Sequence, residues 1–166
     1  MTAQLAFDQH HQAVYSFAFR LTQREDVAED ITQECFLALI RAPHRFDAGR
    51  GSMKVYLFVI ARNLALKHYR DERPADPLEE SRDIAGRDLS ETLATSSAVA
   101  AAVAQLPELQ QEALILFEYE GMTLEEIAQI VRADVGTVKS RLHRARERLR
   151  RALGGYRRTG NAHAST

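Results

Sequence analysis

The chain has 166 residues, 45% hydrophobic and 27% charged, with one cysteine and no tryptophan; this excludes disordered, collagen-like and disulfide-scaffold classes and leaves room for one domain or two small ones, not a large enzyme core. Its net charge of −1 hides an uneven distribution: residues 1–70 hold nine Lys/Arg against seven Asp/Glu, residues 71–126 three against fourteen, and residues 127–166 ten against two.

Helical periodicity runs through the sequence, and no segment alternates with period 2 as a half-buried strand would. Val14, Phe17, Ala18 and Leu21 recur at i, i+3, i+4 and i+7, and Val27, Ile31, Cys35 and Leu39 at four-residue steps, so two amphipathic helices should share an apolar contact. Thr22 and Glu25 have the spacing of a capping box between them. Pro43 should stop the second helix and the Gly49/Gly51 pair should turn the chain. Ser52 should then open a third helix, with Met53, Leu57, Ile60, Ala61 and Leu64 on one side, to about Arg70.

From Asp71 to Ser97 the periodicity dissolves into Pro74, Pro77, Gly86 and many acids, the composition of a flexible linker. Ala98 to Gln105 is again a strong helix former. Pro107 suits a first turn, Leu109, Ala113, Leu116 and Phe117 mark a buried stripe, and Gly121 should end that helix. Thr123 and Glu126 make a second capping-box spacing ahead of a short helix through Val131, and Asp134 should cap a last helix running through Leu149 or beyond. The expected fold is therefore all-α: two small helical domains over 1–70 and 98–154, joined by the acidic linker 71–97, with a basic, disordered tail from 155 to 166.

Two short helices separated by Arg132 to Asp134 have the spacing of a helix-turn-helix. At 100° per residue, Leu142, Ala145 and Leu149 fall within about 40° of Val138, while Ser140, His143, Arg144 and Glu147 point away. Side chains in the first two turns of such a helix reach base edges in a major groove and those farther along meet phosphates. Lys139, Ser140, His143 and Arg144 take the first role and Arg146, Arg148, Arg150 and Arg151 the second, and Arg141 is also a candidate for the DNA backbone. Gly136 and Thr137 place backbone N–H groups where a phosphate could dock. Arg144 is the strongest candidate for direct readout, because a guanidinium reads guanine bidentately. A merely solvated basic helix would explain the arginines, though not the capped helix before them.

The string from Met122 to Arg146, and Val135-Gly-Thr-Val-Lys-Ser-Arg-Leu within it, resembles region 4 of bacterial RNA polymerase sigma factors of the extracytoplasmic-function group. Asp26-Val-Ala-Glu-Asp-Ile-Thr-Gln-Glu-Cys-Phe, Arg45-Phe-Asp and Ile60-Ala-Arg-Asn-Leu-Ala resemble region 2 of the same group. The resemblance implies promoter-specific initiation: region 4 reads the −35 element, region 2 reads the −10 element, and the partners are core RNA polymerase, promoter DNA and, in many relatives, an anti-sigma factor. It places Asp30, Gln33 and Glu34 on the surface that meets core polymerase, and Asn63 with Phe46 at a pocket for an unstacked −10 base. Two departures stand out. Tyr56 occupies a position where many relatives carry Trp, and Arg132 replaces the glycine usual in the turn, where a positive φ would strain the backbone.

The alternative from another class is an operator-binding helix-turn-helix regulator acting without polymerase, but no dimerisation heptad or ligand motif is evident. An enzyme is disfavoured: the six histidines lack ligand-like spacing and Gly49-Arg-Gly is too little for a phosphate loop. No cofactor or metal is expected. A single cysteine, no secretory apolar run near the start, and a longest apolar stretch of seven residues from Ala98 to Ala104 predict a cytoplasmic chain without membrane insertion.

Overall fold

The computed structural model describes residues 2–72 and 95–162, and every regular element among them is helical. Most of the acidic connector, residues 73–94, lies outside the described residues.

The first half is a three-helix unit. Helix α1, Ala3–Thr22, opens on Thr2, whose hydroxyl accepts a bond from the Leu5 amide at 3.1 Å. It closes on Gln23 in the left-handed region at φ 58°. Helix α2, Glu25–Arg41, follows at once and packs antiparallel to α1 by virtue of that short connection. The capping box expected of Thr22 and Glu25 is absent. Thr22 is the last residue of α1, its hydroxyl bonded back to the Ala18 carbonyl at 2.8 Å, and Arg24 precedes α2 without a side-chain cap. The left-handed turn at Gln23 consumed the residues that a box would have used.

Pro43 ends α2 as expected, and a short 3₁₀ turn, Pro43–Arg45, leads into the loop where Asp47 accepts the Gly49 amide at 2.9 Å. Ser52 caps helix α3, Met53–Glu72, through the Val55 amide. Phe17 and Phe58 stack at 4.8 Å between α1 and α3, both fully buried among Val14, Ile31 and Leu57. Losing either ring would cost about 3–5 kcal/mol on the scale of buried aromatic deletions. Cys35 is sealed in the same core, and burial pushes its thiol up to about 12.

The second half holds α4 (Thr95–Ala104), α5 (Glu108–Leu114), α6 (Leu124–Val131) and α7 (Val135–Ala162). Helix α5 runs directly into one π-helical turn, Ile115–Tyr119, and Gly121 stops it with φ +66°. The Thr123–Glu126 capping box is present with both bonds, at 3.0 and 3.1 Å. Arg132 ends α6 in the left-handed region at φ 55°. Helix α7 continues eight residues past the expected limit, so residues 155–162, assigned to a disordered tail, are helical to Ala162. Extending an existing helix gains a backbone bond for each residue fixed, whereas starting one costs several, and that offsets Gly154 and Gly155.

The two halves pack on each other. Helix α3 lies against α6, and α1 against α5 and its π turn. The buried apolar residues of both halves belong to one continuous cluster.

Arg132 supplies a stability test. A non-glycine residue pays to hold positive φ, so Arg132→Gly should raise the urea midpoint by the equivalent of about 0.5–1 kcal/mol; a lowered midpoint would show that the arginine side chain outweighs its backbone strain.

Candidate nucleic-acid interface

The start of α7 is fixed from both sides. Asp134 accepts the Thr137 amide at 2.7 Å, and this bond holds its carboxyl below the usual carboxylate range. Inside, Val138, Leu142 and Ala145 are buried against the second domain's core. Packing of that stripe leaves Gly136, Lys139, Ser140, His143 and Arg144 exposed together on the outer face, with Thr137 half-buried at its edge. The face is therefore presented as a rigid consequence of the core, which is what reading base edges requires.

The arginines expected at phosphates divide into two flanks. At 100° per residue, Arg141 and Arg148 lie about 20° apart on one edge of α7, and Arg146 lies near Lys139 on the other. Arg146 is drawn inward: its guanidinium sits 5.2 Å from the centre of the Phe117 ring and 3.3 Å from Glu118, both in the π turn. Arg141 is half-buried and close enough to Glu112 and Asp134 to bias both carboxyls toward ionisation. Glu147, on the same outer face as His143, pairs with Arg150.

On the first domain, Phe46 is half-buried and meets Tyr56 edge to face at 5.5 Å and 62°. Asn63 is exposed two turns farther along α3, on the same stripe as Tyr56. Tyr56 is thus the wall against which the Phe46 ring rests. Asp30, Gln33 and Glu34 form an exposed polar face on α2. Beside them Ile40 is 59% exposed, one turn beyond Phe36, and Phe7 packs edge-on against Phe36 at 5.0 Å. This apolar border went unnoticed, although Ile40 lies one position out of phase with the buried Val27, Ile31, Cys35 and Leu39.

Comparison with known proteins bears on these surfaces. The profile for Sigma-70 region 2 matches residues 6–74 and that for Sigma-70 region 4 matches residues 96–149. The chain is 35% identical over 164 residues to the ECF RNA polymerase sigma factor SigM of Mycobacterium tuberculosis, covering 93% of this chain and 80% of that protein. The chain belongs to the extracytoplasmic-function group of the sigma-70 family. The sigma factor SigE of Mycolicibacterium smegmatis is 33% identical over 89% of this chain, which spans only 60% of SigE's length. Among solved structures, the sigma factor RpoE of Bartonella quintana, crystallised with the anti-sigma factor NepR, superposes with a TM-score of 0.73 at 26% identity, over 91% of this chain and 96% of that one. Helices α1 to α3 are thus region 2, and α4 to α7 are region 4. Among the described residues no helix is long and apolar enough to cross a membrane.

The cap on the recognition helix yields a pH-dependent prediction. Asp134→Ala should lower the urea midpoint at pH 7. Because the folded-state carboxyl titrates below its unfolded value, the stabilisation is complete above pH of about 4 and disappears as pH falls through the depressed value. The gap between parent and variant should accordingly close on acidification; a gap constant down to pH 2 would mean that the carboxylate is not what stabilises the turn.

Proposed function

We propose that this sigma factor binds core RNA polymerase through α2, reads the −35 element with the outer face of α7, and holds an unstacked −10 base at Phe46 and Asn63 after the duplex opens. The observation that carries the reading is the order of the two family matches, region 2 then region 4, each coinciding with an exposed polar surface of the required chemistry. Lys139, Ser140, His143 and Arg144 contact base edges, Arg144 guanine first. The Gly136 and Thr137 amides and the Arg141 and Arg148 side chains meet phosphates. Arg146 reaches a phosphate only by leaving Phe117 and Glu118. Asp30, Gln33 and Glu34 meet basic side chains on polymerase, and Ile40 adds apolar contact beside them.

The sigma factor makes and breaks no covalent bond in this scheme; its binding energy positions the polymerase and offsets the few kcal/mol needed to unstack the flipped base. Its place of work is the cytoplasm, where polymerase and promoter are. An anti-sigma factor is a third partner, supported by the likeness to RpoE, whose solved structure contains one.

The test is capture by purified core polymerase followed by run-off transcription on a pool of genomic promoters. New start sites should appear only with the chain added, and absence of both capture and initiation would overturn the reading. In the same assay Arg144→Ala should relax preference at one −35 base pair by about 1–3 kcal/mol, while Asn63→Ala should weaken promoter opening and leave core capture intact. Tight, specific duplex binding by the free chain would instead favour an operator-binding regulator.

A further inference from the structure

Two arginines on one flank of α7 are held by carboxylates. At 100° per residue, Arg146 and Arg150 lie within about 20° of Lys139 and one turn apart along the helix, on the edge opposite Arg141 and Arg148. The Arg146 guanidinium reaches Glu118 at 3.3 Å and covers the Phe117 ring at 5.2 Å, both residues of the π turn. Arg150 donates to Glu147 on α7 itself. In the sequence of α7, Glu147 is the sole acid against nine Lys and Arg, and it stands at the centre of the outer face, about 180° from Val138.

These pairs do little for the fold. All four side chains are at least 40% exposed, and ion pairs in that setting contribute little to stability. Their position on the helix has another consequence. An α-helix nearly fills the major groove, about 12 Å wide, so each of its flanks faces one of the two phosphate strands. A guanidinium fork fits carboxylate and phosphate alike. On the Lys139 flank, then, a carboxylate already stands in two places where a phosphate would be.

We propose that Glu118 and Glu147 are phosphate surrogates: they keep Arg146 and Arg150 out of sequence-independent DNA binding and so limit how tightly region 4 holds a duplex of arbitrary sequence. This rests on the reading of α7 as the DNA-binding helix and adds to it the residues that set its background affinity. Base contacts are left to decide where the helix settles. The effect is measurable in salt. Each phosphate neutralised by a cation releases counterions and steepens the fall of log K with log salt by about 0.9. An arginine that exchanges a carboxylate for a phosphate brings no net charge to the DNA and adds no slope. Once the carboxylate is made neutral, the same arginine counts in full.

The experiment follows the fluorescence anisotropy of a labelled duplex of scrambled sequence titrated with the full chain, from about 50 to 200 mM KCl. Glu147→Gln should steepen the slope by about 0.9, so that affinity falls roughly 3.5-fold more than the parent's across this range. Glu118→Gln should steepen it less, because Phe117 still holds Arg146, and the two changes together should add. The paired variants Glu147→Gln/Arg150→Gln and Glu118→Gln/Arg146→Gln should return to the parent slope. Asp8→Asn, the same change of charge at an exposed position on α1, should not depart from it, and urea midpoints should be alike throughout. A slope shallower than the parent's in either paired variant would mean that the arginine already contacts phosphate. An unchanged slope in Glu147→Gln would mean that the carboxylate restrains nothing, and an equally steep slope in Asp8→Asn would reduce the effect to net charge; each of these results overturns the proposal. Absence of any salt-dependent duplex binding by the parent, alone or with core polymerase, would instead overturn the assignment of α7 to DNA, and this inference with it.

Discussion

A carboxylate taken out of water is tolerated only if a cation goes with it, and this constraint organises the molecule at Glu112. The glutamate belongs to region 4 and its guanidinium to region 2, so neither domain can satisfy its own buried face. Burial pushes Glu112 up while the bonds from Arg62 and the field of Arg141 pull it down, and the outcome depends on a residue fifty positions away in the chain. Neighbouring polar positions follow. Gln110 and Gln111 are buried as well, and Gln111 lines the same cleft as Arg62 and Tyr69 of region 2.

That dependence explains what could be read from the sequence and what could not. Signals confined to a few residues were legible: Ser52 on Val55, Thr123 with Glu126, Asp134 on Thr137, and the stop at Pro43 each involve partners within four positions. The outward face of α7 was legible for the same reason, since 3.6-residue periodicity alone separates Val138, Leu142 and Ala145 from His143 and Arg144. Thr22 failed because two local solutions competed: as the last residue of α1 its hydroxyl bonds back to the Ala18 carbonyl at 2.8 Å, and ahead of it accepts only the Arg24 amide at 3.4 Å, short of α2 itself. The interface was illegible because Gln111 and Glu112 are polar residues in a helical pattern, and only the position of α3 shows that they face protein.

The same limit applies to the site residues. Tyr56 meets Phe46 ten positions away, across a loop that no periodicity spans. Arg146 is a phosphate candidate by position on the helix, and here its guanidinium rests on the π turn, whose Phe117 and Glu118 reach α7 while Tyr119 and the following Glu120 meet α1 and α3. A wider turn shifts side-chain directions relative to an α-helix, and its occurrence is not encoded by any short motif. The π turn thus serves both of region 4's neighbours from consecutive residues.

The division of charge then acquires a structural reason. The acids of residues 108–126 face two ways: Glu112 and Glu120 meet the cations of region 2, and Glu118 meets an arginine of the recognition helix. All of these partners are residues of the kind that also bind phosphate. Acids of this segment thus sit against cations of both neighbours, and opposite fields cancel locally where the elements meet.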